Sequence, residues 1–366
     1  ELSASNNGLR DDRYTDWRTN IGMCAHAIQQ LASTSTGTIS VGDKYLENDV
    51  EPSNAPWDHF FAGDGRVTME IIKQTGPGGW YEGRKINTRH AARILRVLCF
   101  HRLTDWYGSI PYFEANQGIE GIFQPKYDKQ KDIYADLFKE LDEACAAMSP
   151  SHPDEGFANA DYYFNGDIAK WKKFGYSLML RLAMRVSNVD AAMANTWVTK
   201  AIQGGVMSSN DDNVIATMAL GPSEWTNQNG ISRGFAPGDG GQWQSSFLSK
   251  TFVDWLMGPD KNSTADDDPR LMIFTAGIIK WTPNEVVFYE TDPLKQRGLP
   301  NGLDGAMLNT LMGGPTIPYE HFSAVNPLMF EDDEPYMIMH AAESEFLQAE
   351  ALERGIGSGI SGTAKE

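Results

Sequence analysis

The feature that most constrains this chain is a succession of apolar runs at helical spacing, arriving in adjacent pairs. Ala91, Ile94, Leu95, Leu98, Cys99, Arg102 and Leu103 recur at three- and four-residue intervals and stop before Gly108 and Pro111, which predicts a helix with one continuous core face. Ile133, Leu137, Leu141, Ala144, Cys145 and Met148 repeat the pattern, with Asp132 and Asp136 near the start and Ser149-Pro150 at the stop. Carboxylates suit the positive end of a helix dipole, and proline cannot extend the last turn. A third run, Ile168, Trp171, Phe174, Leu178, Leu182 and Met184, follows Asp167, and a fourth, Ala191 to Gln203, lies between Asp190 and Gly204-Gly205. Those are helix caps where caps are needed. A helical hairpin cannot bury its apolar stripe alone, so the pattern predicts stacked pairs of tetratricopeptide type with irregular spacing.

The periodicity weakens outside this block. Tyr14, Trp17, Ile21, Cys24, Ile28 and Leu31 predict one helix and Trp57 to Lys73 another, with Gly37, Gly42 and Pro52 between them. From Asp211 to about Pro335 the chain is rich in Gly, Pro, Asn and Trp, with short apolar runs such as Leu271 to Ile279 and Val286 to Tyr289; this predicts loops with two or three short strands. Helix is expected again from Tyr336 through Met339, His340, Glu343, Phe346, Leu347, Glu350 and Ala351 to Gly355. The expected architecture is therefore mainly α and a single domain over 1–366. Helical repeats cover about 10–205 and 335–354, and a loop-rich insertion covers about 211–334. An insertion of that length is expected to carry function.

Charge excludes one class of partner. Lys and Arg number 31 against 49 Asp and Glu, a formal charge of −18, so nucleic acid is not an expected ligand. No stretch reaches the run of about 18 apolar residues that spans a bilayer. The start, Glu1-Leu2-Ser3-Ala4-Ser5-Asn6-Asn7, has neither part of a signal peptide, so any targeting segment is expected to have been removed. Cys24, Cys99 and Cys145 all fall in helical patterns and read as small buried hydrophobes.

No catalytic, metal or cofactor motif is coherent. Gly230-Ile231-Ser232-Arg233-Gly234 has the spacing of a nucleophile elbow, but Asn227-Gln228-Asn229 precede it where a buried strand belongs. Gly357-Ser358-Gly359-Ile360-Ser361-Gly362 follows a helix where a dinucleotide fingerprint would follow a strand. Asp260, Asn262, Thr264 and Asp266 alternate like a calcium loop, yet Ala265 replaces the needed glycine and Leu271 the closing glutamate. The acidic clusters Asp211-Asp212, Asp266-Asp267-Asp268 and Glu331-Asp332-Asp333-Glu334 read as solvated faces. The chain is therefore expected to use no cofactor and to be a binding protein. The rival readings are a glycoside hydrolase on a helical scaffold, which two suitably placed carboxylates could make, and a pure protein-interaction scaffold.

Rings in loops are the remaining signal. Trp80 and Tyr81 follow Gly78-Gly79 between two helices, while Trp225 with Asn227, and Trp243 between Gln242 and Gln244, lie in the insertion. A planar apolar surface beside an amide or hydroxyl suits a pyranose, whose C–H face packs on a ring while its hydroxyls bond polar side chains. Trp80, Tyr81, Trp225, Asn227, Trp243 and Gln244 are accordingly the expected ligand contacts. The competing role for each ring is to anchor its loop to the helices.

Residues 89–113, Arg-His-Ala-Ala-Arg-Ile-Leu-Arg-Val-Leu-Cys-Phe-His-Arg-Leu-Thr-Asp-Trp-Tyr-Gly-Ser-Ile-Pro-Tyr-Phe, resemble the helix and Tyr-Gly-x-x-Pro turn of SusD/RagB-like outer-membrane lipoproteins. Further blocks are similar in family order: Asp132 to Ala144, Asn165 to Phe174 with Leu180-Arg-Leu-Ala-Met-Arg185, Asp268-Pro269-Arg270, and Ala341 to Gly355. The surroundings of Gly302, Asn326-Pro327 and Phe330 look most like the second SusD-like type. The resemblance implies a cell-surface protein of the outer membrane, built on tetratricopeptide-like helix pairs, that captures glycan for a SusC-like TonB-dependent transporter. It also implies an N-terminal lipid anchor, which no residue at the start of this chain supplies, so the anchor is expected upstream of Glu1 or to have been cut away. The helix ending near Arg354 lacks the second member of its pair, with Gly362 to Glu366 resembling the opening of the expected helix.

Overall fold

Two groups of residues, each drawn from separate stretches of chain, form the fold in the computed structural model, which describes residues 15–37, 41–46, 51–152, 154–222, 227–235, 246–281, 285–329 and 331–364. The first unit joins Trp57–Thr217 to Pro335–Glu366, and the second joins the segment up to Pro56 to Met218–Glu334. The architecture is mainly α, with tetratricopeptide-like hairpins in the first unit.

That unit is built on α1 (Gly65–Thr75), α2 (Ile86–Tyr107), α3 (Gln130–Ala147), α4 (Ile168–Val186), α5 (Ala191–Gly204) and α6 (Ala341–Arg354). The four middle helices stand where periodicity places them. Asp167 caps α4 by accepting from the N–H groups of Ala169 and Lys170, Asp190 caps α5 through Met193 N–H, and Gly205 takes the left-handed turn after it. Helix α2 is buried nearly all round, so its polar residues are internal too: Arg93 binds Glu140 and Glu143 on α3, and Arg96 donates to the Tyr112 hydroxyl, which donates to Asp136. Phe138 and Trp197 stack at 4.9 Å between α3 and α5. Gly175 lets α4 approach α3, since a Cβ there would stand 2.3 Å from Cys145 Sγ.

One buried carboxylate organises the entry to α4. Asp161, 2% exposed, accepts from the backbone N–H groups of Tyr163 (2.9 Å), Phe164 (3.2 Å) and Gly166 (2.8 Å) and from Trp171 Nε1 (2.7 Å). Trp171 is fully buried among Phe157, Tyr163, Phe164 and Phe174; burial of each such ring contributes on the order of 2–3 kcal/mol.

The C-terminal helix starts later than its pattern suggests. Tyr336–Met339 is a strand, paired antiparallel with Val214–Ala216 through Val214↔Met339 and Ala216↔Tyr336, and α6 begins at Ala341. Arg181 on α4 grips Glu343 with both carboxylate oxygens, at 2.5 and 2.6 Å. Ala351 is buried, while Phe346 is 78% exposed. Gly355 ends the helix in the left-handed region, as expected. The following glycines run over α5, where Gly357 N–H bonds Asn195 and Ser358 N–H bonds Thr199.

Two expected helices change, one in the second unit and one that enters the first at Trp57. Thr15–Ala25 is π-helical and stops well before Leu31, because Gln29 adopts φ 61° and Leu31–Ala32 pairs as a strand with Phe247–Leu248. The predicted helix from Trp57 is helical over Glu51–His59 and Gly65–Thr75 but π-helical across Phe60–Asp64. The insertion contains more helix than predicted: Lys250–Leu256, Leu271–Phe274 and Gly305–Met312 stand beside the hairpin Ile278–Trp281/Val286–Glu290. Its core gathers Ile21, Leu31, Leu248, Val253, Leu256 and Leu271.

Candidate functional site

The turn between α1 and α2 carries the first pair of expected contacts. Gly79 passes so close to the end of α1 that a Cβ would lie 2.4 Å from the carbonyls of Lys73 and Gln74, so only glycine fits. Gln74 then holds the turn twice, its carbonyl accepting from Tyr81 N–H at 2.8 Å and its side-chain oxygen from Trp80 N–H at 3.3 Å. The Arg84 guanidinium lies 5.4 Å over the Tyr81 ring. Trp80 is 75% exposed, far more than a ring needs if it only anchors its turn.

Tyr81 lines a groove of about 1510 Å³ that lies entirely within the first unit. One wall is α1 and the turn after it; the other is the loop 113–127 with the turn at Glu155. The loop is tied at its base, where Ile110–Pro111 pairs with Tyr127–Asp128 and Asp128 accepts from the N–H groups of Tyr112 and Phe113. Asn116, at φ 57°, turns the loop back, its amide nitrogen buried without a hydrogen-bond partner, and a side chain at Gly65 would fall 2.7 Å from that nitrogen. At the lip Ile119 and Phe123 project, 88% and 82% exposed, and Tyr127 stacks on Trp57 with centroids 5.9 Å apart.

Charges line the groove in equal numbers. Arg66, Lys73 and Lys85 face it along with Glu70, Glu120 and Glu155. Lys73 pairs with Glu120 across the groove, and that hydrogen bond raises the lysine pKa and lowers the glutamate pKa. Beside Glu155, whose carbonyl accepts from Lys85 Nζ, the Asp154 carboxylate accepts from Thr88 N–H at 2.7 Å and Thr88 Oγ1 at 2.9 Å at the start of α2.

Of the expected contacts, the structure brings Tyr81 into the groove and leaves Trp80 on the turn beside it, outside the lining. Asn227 stands in the second unit, its carbonyl accepting from Ala219 N–H at 2.9 Å. Trp225, Trp243 and Gln244 lie outside the described residues. Sequence reasoning overlooked Trp57, Tyr127 and Ile119. Its available signal was Gly118-Ile119-Glu120-Gly121-Ile122-Phe123, apolar residues inside a turn-forming stretch where no helix could bury them.

The other motifs resolve into structure. Ser232 is fully buried in the short helix Gly230–Phe235, its one hydroxyl proton shared between Asn229 O at 2.6 Å and Asp332 Oδ1 at 2.8 Å. In the acidic turn, Asp260 and Asp266 accept from backbone N–H groups of their own loop. Among the described residues no group of three His, Cys, Asp or Glu is arranged to hold a metal ion.

Comparison with known proteins identifies the family and the fold. The family described as SusD-like, starch-binding and associating with the outer membrane, matches residues 5–366. A solved chitin-binding protein is 29% identical, with a TM-score of 0.78 over 99% of this chain and 71% of its own. A Bacteroidetes SusD-like protein is 24% identical with a TM-score of 0.79, covering 98% of this chain and 73% of its own. A chitin-binding SusD homologue from Flavobacterium johnsoniae is 22% identical with a TM-score of 0.69, covering 99% and 66% respectively. Comparison with curated proteins gives no match.

Proposed function

Since the chain belongs to the SusD-like family, we propose that it captures glycan at the cell surface and delivers it to a SusC-like TonB-dependent transporter of the outer membrane. The match over residues 5–366 carries this reading, and the rings that protrude from loops support it. Trp80, Tyr81, Trp225, Asn227, Trp243 and Gln244 are the proposed ligand contacts, the rings supplying apolar platforms and the amides selecting hydroxyls. The chain acts as a binding protein and performs no catalysis. Attachment to the membrane is through an N-terminal lipid; among the described residues no helix is long and apolar enough to cross a membrane.

A glycan array probed with the purified protein tests capture, and binding to no glycan would refute it. Incubation of every bound glycan with the protein separates capture from the rival hydrolase, since product that disappears on mutation of one carboxylate would establish an enzyme. Affinity purification from native outer membranes tests delivery: repeated failure to recover a TonB-dependent barrel would refute it.

A further inference from the structure

We propose that the groove of the first unit holds the interior of an uncharged oligosaccharide several sugars long and rejects polyanionic glycans. This rests on the glycan-binding reading and adds to it a place, a length and a charge class. Length follows from size, since about 1510 Å³ exceeds the roughly 300–1,000 Å³ that encloses a drug-sized ligand. A single sugar would leave most of that space to water.

Charge class follows from the lining. Its three cations are matched by three carboxylates, and two of the cations are already engaged, Lys73 with Glu120 and Lys85 with Asp154 at 3.7 Å. A uronate or sulfate chain would have to take these cations from their partners and leave those carboxylates facing further negative charge. The formal charge of −18 on the whole chain opposes its approach as well. An uncharged chain meets no such cost. Its C–H faces can lie on Tyr81, Tyr127 and Ile119, which present rings and an aliphatic side chain along the rim.

Calorimetric titration of the full chain tests the inference, with hexamers of N-acetylglucosamine, glucose and xylose as neutral probes and hexagalacturonate and a heparin hexasaccharide as anionic ones. The expected result is a neutral hexamer that binds at least tenfold more tightly than its dimer. Its Kd should change by less than about twofold between roughly 50 and 500 mM salt, because no net charge is exchanged. Tyr81→Ala and Tyr127→Ala should each weaken it by about tenfold, as loss of a ring anchor does. Ile119→Asp, at a fully projecting position, should weaken it without disturbing the fold, and Glu155→Gln should strengthen hexagalacturonate binding at low salt. If wild type binds a neutral hexamer that all three rim variants bind equally well, the groove is not the site. Tighter, salt-sensitive binding of the anionic probes would overturn the charge class. Binding of no glycan would overturn the glycan reading itself, and with it this inference.

Discussion

Asp161→Ala tests how the entry to α4 is held. The substitution removes one acceptor group and strands three backbone N–H groups and the Trp171 indole N–H. Gly166 is half-buried and its N–H can turn to water, whereas Tyr163, Phe164 and Trp171 are buried. A buried donor without an acceptor costs about 1–3 kcal/mol, so three of them place the loss near 4 kcal/mol. Asp161→Asn separates the two halves of the network. Its retained oxygen can serve Tyr163 and Phe164, which share Oδ1, while its NH2 faces the donors of Gly166 and Trp171 that share Oδ2; one of the three buried donors is then stranded, so about a third of the loss, roughly 1–2 kcal/mol, is expected. In a protein of this size 4 kcal/mol corresponds to a melting-temperature drop of about 5 °C. Circular-dichroism melts of wild type, both variants and Trp171→Phe provide the measurement, and in the Trp171→Phe background the Asn substitution should cost less. An Asp161→Ala protein melting within about 2 °C of wild type would refute the reasoning, as would an Asn variant as unstable as the Ala variant.

Three further outcomes follow from the structure. Burial pushes the His101 imidazole, 1% exposed, down to about 4. Between about pH 6.5 and 4 the unfolded chain therefore takes up a proton that the folded chain refuses, and stability falls by up to about 3 kcal/mol as pH drops through that window; urea midpoints for wild type and His101→Phe with the same pH slope there would disprove it. Glu343→Gln loses one of two charge-assisted bonds from Arg181 and should cost about 1–3 kcal/mol, with the first loss of hydrogen-exchange protection in α6; unchanged protection there would count against that grip. Gly175→Ala places a methyl group against Cys145 Sγ and should destabilise by about 1–3 kcal/mol, whereas a melting curve identical to wild type would show that α3 and α4 have room to part.

The helices legible in the sequence were those whose start, face and stop are all local. Asp167, Asp190 and Gly205 cap α4 and α5 as read, because capping depends on residues within one turn. Tyr336–Met339 misled because its helical spacing is overridden by pairing with Val214–Ala216, a partner far away in sequence. Leu31 was misread for the same reason, its strand partner being Leu248. The π-helical stretch Phe60–Asp64 has no compositional mark that distinguishes it from α-helix. At the candidate site the turn with Trp80 and Tyr81 was readable from its glycines. The groove was not, because its lip is a loop whose course is set by a left-handed Asn116 and by the Asp128 anchor at its base.

The route of the chain through its two units dictates an order of assembly. Leu31 must wait for Leu248, more than two hundred residues later, and Val214 for Met339. Closing the longer of these loops costs about 2 kcal/mol more in chain entropy than closing a twenty-residue one. A chain growing from its N-terminus thus completes neither unit until its last third has emerged. Residues 65–204 are the exception, since α1 to α5 pack on near neighbours in sequence, the kind of contact that forms fastest. The helical hairpins of the first unit are therefore expected to form early, and both walls of the groove belong to that block. A substitution in those walls that slows hairpin formation should delay folding of the first unit, whereas one in a late-closing pair should mainly hasten unfolding of the unit that holds it.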